Sequence, residues 1–193
     1  LKDGLYEFDV IIDGQKAGAC KAAVPGKHNI LNALAVIAAC HQSNINIRDV
    51  LKQIGEFIGI DRRLMLKAQF DNIRIMDDYA HHPTEIRASL SAIREKYSPE
   101  RLWCIFQPHQ YSRTRFLLED FAQSFKLADI TVVPEIYFVR DTQESRQEVN
   151  AEVLVEKIKK YDSQAIFIND FADIVDYLKQ NVRNGDLIVT MGA

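Results

Sequence analysis

Residues 73–86, Ile73-Arg74-Ile75-Met76-Asp77-Asp78-Tyr79-Ala80-His81-His82-Pro83-Thr84-Glu85-Ile86, hold a complete strand-loop-helix unit. The apolar run predicts a strand over 73–78. Pro83 suits the first turn of a helix, where its missing N–H removes nothing, and Glu85 complements the positive end of the helix dipole. That helix is predicted over 83–96. Further strands are predicted at 64–70, 102–106, 130–133, 165–168 and 186–190, with helices at 114–127, 150–160 and 170–182 between them. Repeated β-then-α units imply an α/β fold, a mainly parallel sheet flanked by helices on both faces.

Upstream of residue 64 the pattern differs. Residues 5–12 and 17–24 flank Asp13-Gly14, a hairpin signal between apolar stretches. Pro25-Gly26 breaks the chain, and apolar residues at helical spacing predict helices over 29–41 and 47–58. Periodicity stops at Gly59-Ile60-Asp61-Arg62-Arg63, which sets an expected boundary between a piece at 1–60 and a domain at 61–193.

The 193 residues are 47% hydrophobic and 26% charged, as in an ordinary globular protein, and the net charge of −3 gives no footprint for nucleic acid or anionic lipid. Cys20, Cys40 and Cys104 are scattered and odd in number, which argues for reduced thiols in a cytoplasm rather than a disulfide framework. There is no membrane-length apolar run, and Leu1-Lys2-Asp3-Gly4 is neither a signal peptide nor an initiator start. Together with the end at Thr190-Met191-Gly192-Ala193, directly after a strand, this leads us to expect a fragment.

In open parallel sheets ligands bind beyond the carboxyl ends of the strands. Two loops there are rich in functional groups, Asp77 to Pro83 and Gln107 to Arg113. Adjacent Asp77 and Asp78 point to opposite sides of a strand, so one faces the crevice while the other caps a loop or pairs locally. His81 and His82 could cap the helix or transfer protons; their adjacency and the lack of nearby cysteine argue against a metal site. Arg113 can grip a carboxylate or phosphate with two parallel hydrogen bonds, and His109 can donate to the same anion. Asn29 reads as a helix cap, whereas Asn32, inside an apolar helix, needs a partner or a ligand. No G-x-x-x-x-G-K-[ST] loop and no G-x-G-x-x-G loop occurs, so no phosphate-binding engine is recognisable.

The segments PGKHNILNALA (25–35), DRR (61–63), DDYAHHPTEI (77–86) and FQPHQYSRT (106–114) resemble, in order and spacing, the Mur ligases that load L-alanine onto UDP-N-acetylmuramate in peptidoglycan synthesis. The likeness runs along essentially the whole chain. It implies that 1–60 is the tail of a central ATPase domain and 61–193 most of a Rossmann-like C-terminal domain that admits the amino acid. It also implies a P-loop in a preceding region and a C-terminus that continues further. ATP with Mg²⁺ would be the cofactors, bound mainly by the preceding region, and L-alanine, UDP-N-acetylmuramate and the chain's own N-terminal and central domains the partners. The piece alone is expected to be inactive.

By the same resemblance His28, Asn29 and Asn32 are adenine-side contacts, and Arg63 reaches the nucleotide from the hinge. Asp78 holds the ribose or orders the closed form. Tyr79 and His81 line the junction of nucleotide and amino acid, and His109 and Arg113 hold the L-alanine carboxylate. His81, Arg63 and Asp78 are the catalytic candidates. Gln110 departs from the family pattern, which commonly has a second arginine there; a glutamine can hydrogen-bond the substrate anion without neutralising it, which leaves the charge to Arg113. Three alternatives stay open. They are the related ligase that recycles tripeptide, a non-catalytic nucleotide- or amino-acid-binding module, and an unrelated flavodoxin-like fold, which would require the two loops to lie on opposite sheet edges.

Overall fold

The computed structural model describes residues 3–161 and 164–192. It divides into two compact units, one running through Asp61 and including Ser91–Ser98, the other comprising Arg62–Leu90 and the chain from Pro99 on.

In the first unit β1 (Glu7–Ile12) and β2 (Gln15–Lys21) pair antiparallel, with a bulge between Val10 and Ile11. Asp13 and Gly14 have φ of 49° and 78°, the left-handed pair that a two-residue hairpin turn requires. Helices α1 (Lys27–Gln42) and α2 (Ile47–Glu56) follow. Val10, Cys20, Ile37, Val50 and Leu51 form the core of this unit. Helix α1 begins earlier than its periodicity predicts, because Gly26 at φ 96° turns the chain directly into it. Asn29 is therefore not the cap. It sits in the first turn, where its side-chain amide donates to the Pro25 carbonyl at 2.7 Å. Helix α2 stops at Glu56 rather than 58, since Phe57 is already extended at φ −74°, ψ 105°.

The second unit is built on a six-stranded sheet of β3 (Met65–Phe70), β4 (Ile73–Asp78), β5 (Leu102–Phe106), β6 (Ile130–Val133), β7 (Gln164–Phe167) and β8 (Leu187–Met191), in the order β3-β4-β8-β5-β6-β7. Every pairing is parallel except β3 with β4. Asp71-Asn72 is too short a link for a crossover, so β3 must fold back on β4. Between the strands lie α3 (Pro83–Tyr97), α4 (Tyr111–Phe116), α5 (Leu118–Ser124), α6 (Gln143–Glu148), α7 (Ala151–Ile158) and α8 (Phe171–Asn181). The single helix predicted over 114–127 is thus two, starting at Tyr111 and interrupted at Leu117 (φ −105°, ψ 19°). Helix α6 was not predicted at all.

All five residues of β5 are buried, which requires cover on both faces. On one face Trp103 and Ile105 pack with Ile130, Val132, Ile188 and Ile174 of α8. On the other, the Phe106 ring lies 5.4 Å from that of Phe121 and 5.2 Å from that of Phe125. Burying such aromatics contributes roughly 1.5–3 kcal/mol each, enough to fix the sheet that carries the loops.

Candidate functional site

Strand β8 lies between β4 and β5 with Asp78, Met191 and Phe106 in register. The chain crosses from β4 to β5, moves outward through β6 and β7, and returns as β8 into the gap. This reversal is a topological switch point, the place where parallel sheets open a crevice at their carboxyl ends. The loops after β4 and β5 both leave from that edge, on either side of Gly192. An arrangement with the two loops on opposite edges is excluded.

The first loop is organised by Asp78. This side chain is 1% exposed, and its two oxygens accept from Leu64 N at 2.8 Å and Ala80 N at 2.7 Å. Burial pushes its carboxyl above the usual carboxylate range, against the opposing pull of those amides, the Ser89 hydroxyl and the Arg63 charge. Asp77, on the other side of the strand, is half-buried, accepts from the Thr190 hydroxyl at 2.9 Å and lies 3.4 Å from Arg62. Of the two aspartates, it is Asp78 that holds the loop from within.

Tyr79 is the centre of a stacked group. Its backbone N–H donates to the Arg62 carbonyl at 2.6 Å, and the Arg62 and Arg63 guanidiniums lie 4.8 and 5.5 Å from its ring centre. The His81 ring meets it edge-on at 5.1 Å. His81 Nδ1 is 2.9 Å from the Tyr79 carbonyl, while His81 N donates to Glu85 at 3.0 Å. A carbonyl can only accept, so in the neutral ring Nδ1 carries the proton and Nε2 offers a lone pair. Arg63 reaches Glu85 at 3.9 Å.

The second loop is held by residues that sequence reasoning missed. Tyr137 pairs with it in an isolated bridge to His109, accepts from Gln110 N at 3.1 Å, and stacks its ring on His109 at 5.4 Å. Asp141 accepts from Ser112 N at 3.0 Å, and Glu135 from the Tyr111 hydroxyl at 3.2 Å. No local motif marks 134–141; its one signal is position, directly after a buried strand at the same sheet edge. Gln110 has φ 75°, and its side-chain oxygen accepts from Arg113 Nη2 at 3.0 Å.

Burial, and then the charges of Arg113, His81 and Arg140, hold the His109 imidazole below its ordinary pKa. The charges of Arg113, His81 and Arg140 thus each bear on His109. Two buried polar atoms here, His109 Nδ1 and Arg113 Nη1, have no hydrogen-bond partner among the described residues. A buried donor without a partner is costly and rare, and a cation of this kind is completed by an anion.

His28, Asn29 and Asn32 belong to the first unit. Asn32 donates to Asn29 Oδ1 at 3.1 Å, so its amide has a partner, on a turn of α1 that is exposed rather than apolar-packed. A cavity of about 680 Å³ in that unit runs along β2 and α2 and is lined by none of the predicted site residues. Among the described residues no group of three or more His, Cys, Asp or Glu is placed to hold a metal ion, and no helix is long and apolar enough to cross a membrane.

The family description "Mur ligase, glutamate ligase domain" matches residues 62–193. Over its full length the chain is 44% identical to a UDP-N-acetylmuramate–L-alanine ligase of Acetivibrio thermocellus, and over 96% of its length 43% identical to one of Clostridium botulinum. It spans about 40% of the length of these curated relatives. Among solved structures, the UDP-N-acetylmuramate-alanine ligase of Thermotoga maritima superposes over 99% of the chain and 40% of its own, with TM-score 0.79 at 30% identity. A murein peptide ligase of Psychrobacter arcticus superposes over 100% of the chain and 39% of its own, with TM-score 0.67 at 28% identity.

Proposed function

The chain belongs to the Mur ligase family, and from that premise we propose that it is the amino-acid-admitting part of an ATP-dependent ligase joining L-alanine to the lactyl carboxylate of UDP-N-acetylmuramate. The observation that carries this reading is the pair of unpartnered buried atoms, Arg113 Nη1 and His109 Nδ1, at the switch-point edge. An α-amino acid brings one carboxylate, and a guanidinium with a free donor beside an imidazole is built to receive it.

In this reaction the γ-phosphoryl group of ATP moves to the lactyl carboxylate, and the amine nitrogen of L-alanine then displaces phosphate from the carbonyl carbon. The contribution of this chain is positional. Arg113 and His109 fix the carboxylate, which leaves the amine as the free end of a small, oriented nucleophile. The ammonium must lose a proton before it attacks, and His81 Nε2, kept as an acceptor by the hold of the Tyr79 carbonyl on Nδ1, suits that role. Arg63, beside Tyr79 and Glu85, is the candidate to reach the nucleotide, with Tyr79 as the flat surface between. Asp78 acts from beneath, shaping the loop that carries Tyr79 and His81. His28, Asn29 and Asn32 would meet the adenine side. ATP and Mg²⁺ would be held mainly by a preceding P-loop region. A cytoplasmic location goes with this reading.

A second reading, tripeptide recycling, draws on the likeness to the murein peptide ligase. The higher identity and TM-score of the alanine ligases and the FQPHQYSRT segment favour L-alanine. The test is Arg113→Ala in the complete ligase. The KM for L-alanine is expected to rise roughly 100-fold or more, as befits loss of a charge-assisted contact worth about 3 kcal/mol, with the KM for ATP almost unmoved. Equal effects on both would remove the assignment, and a complete ligase that takes tripeptide in preference to L-alanine would favour the second reading.

A further inference from the structure

We infer that Gln110 is a positioning residue: its neutral side-chain oxygen aims Arg113 without cancelling its charge, so the carboxylate subsite operates with one guanidinium and an uncharged brace. The inference rests on the reading that Arg113 receives the amino-acid carboxylate.

Gln110 is unusually well fixed. Its backbone N–H donates to the Tyr137 carbonyl at 3.1 Å, and its carbonyl accepts from both Thr114 N at 3.1 Å and Thr114 Oγ1 at 2.8 Å. A φ of 75° with ψ 127° is a conformation that residues with a side chain rarely adopt and that persists only where the surroundings over-determine it. Arg113 Nη2 then donates to Gln110 Oε1 at 3.0 Å. Because arginine has only donors, the partner must be the oxygen end of the amide. The guanidinium is planar and rigid, so holding Nη2 also sets the direction of Nη1, the buried atom that has no partner among the described residues.

The chemical type of the brace matters as much as its place. A carboxylate at 110 would accept from Arg113 equally well but would neutralise it and compete with the incoming anion. An arginine at 110 could not accept at all and would push Arg113 away. Glutamine is the charge-neutral acceptor of the right length. Because its oxygen is engaged with Arg113, Gln110 has only its Nε2 donors left to offer the substrate anion.

The experiment compares Gln110→Met, which keeps length and loses the acceptor, with Gln110→Glu, which keeps the acceptor and adds charge, both in the complete ligase. KM for L-alanine, KM for ATP, kcat and the thermal midpoint are read for each. Removing the brace is expected to raise the KM for L-alanine about tenfold, the equivalent of one modest charge-assisted hydrogen bond, with KM for ATP and kcat within about twofold. Gln110→Glu is expected to raise it at least as much despite its near-identical shape. A Glu variant with wild-type KM for L-alanine overturns the inference, as does a uniform change in all three constants with a lowered midpoint, which would mark a merely structural role. If Gln110→Met does not fold, the isosteric Glu variant decides alone. Arg113→Ala separates the two levels: an unmoved KM for L-alanine defeats the site reading itself, whereas a raised one beside wild-type-like Gln110 variants defeats only the brace.

Discussion

Replacing Asp78 with alanine tests whether this carboxylate is a scaffold or a ligand contact. In the structure it is 1% exposed and accepts from two backbone amides, Leu64 N and Ala80 N, one entering β3 and one in the Tyr79 loop. Deleting the side chain leaves both donors buried without partners. Each costs about 1–3 kcal/mol. Release of the buried charge, whose desolvation holds the Asp78 carboxyl up, offsets part of that loss. A net destabilisation of about 3 kcal/mol follows, and with a urea slope of roughly 2 kcal/mol per molar this lowers the unfolding midpoint by about 1.5 M. The assay is urea unfolding of the 193-residue chain followed by fluorescence of Trp103, its single tryptophan, which sits in β5 of the same sheet. The raised carboxyl also fixes a sign. A group that binds its proton more tightly when folded favours folding below its unfolded value near 3.8 and loses that contribution as pH rises through the folded value. The gap between wild type and Asp78→Ala should therefore widen as the solution is acidified. A midpoint unmoved by the substitution, together with a large rise in the KM for ATP in the complete ligase, would refute the scaffold role and return Asp78 to the nucleotide.

Further outcomes are expected. Asp186 is 1% exposed and accepts from Arg101 at 2.6 and 2.9 Å, Trp103 Nε1 at 3.0 Å and Arg183 N at 2.8 Å, so Asp186→Ala should cost about 3–5 kcal/mol in urea unfolding. Burial opposes ionisation of this carboxyl, but Arg101, Arg183 N and Trp103 outweigh it and hold it low, so its stabilisation is present above pH 3.8 and is lost as pH falls through the folded value; acid unfolding of wild type and variant should converge there. His109, held low by burial and by Arg113, His81 and Arg140, is neutral in the folded chain while the unfolded imidazole already binds a proton, so stability falls as pH drops below 6.5 and His109→Gln should flatten that fall. Saturating L-alanine should raise the His109 pKa in an NMR titration of the complete ligase, because the carboxylate opposes those cations; an unshifted resonance would count against the subsite.

What was legible in the sequence follows from what makes each element. Strands buried on both faces are continuous apolar runs, so β5 and β6 read with their observed bounds and β8 within one residue. The pleat alone separated Asp77 from Asp78, and the structure does place them on opposite sides. Helix α6 escaped notice because none of its residues is buried, and an all-polar helix carries no periodic signal. The left-handed turn at Gln110 is held by the bond of its amide to the Tyr137 carbonyl, which no local pattern reports. For the same reason Tyr137 and Arg140 were not foreseen: Tyr137 meets His109 through a backbone bridge and Arg140 bears on it by charge, from a segment that follows a different strand. The role of Gln110 was half legible. Its neutrality could be read from the sequence, but the direction of its oxygen depends on φ.

The arrangement of charges at the sheet edge carries its own argument. The charges of Arg113, His81 and Arg140 all disfavour protonation of His109 in the folded state. Acidic groups close by could relieve it, yet Asp141 accepts from the Ser112 amide and Glu135 from the Tyr111 hydroxyl and the Ile136 amide at 2.8 Å. Glu85 faces Arg63, the His81 amide and the His81 ring, whose Nδ1 lies 3.6 Å from it. Asp141 and Glu135 thus hold the loops in place rather than neutralising Arg113, while the side-chain oxygen bound to Arg113 is that of the neutral Gln110. Had Asp141 or Glu135 turned to Arg113, the cluster would be internally satisfied and have little affinity for anything further. With Asp141 and Glu135 bonded to the loops and Arg113 Nη1 without a partner among the described residues, a single carboxylate is the smallest group that would complete the guanidinium.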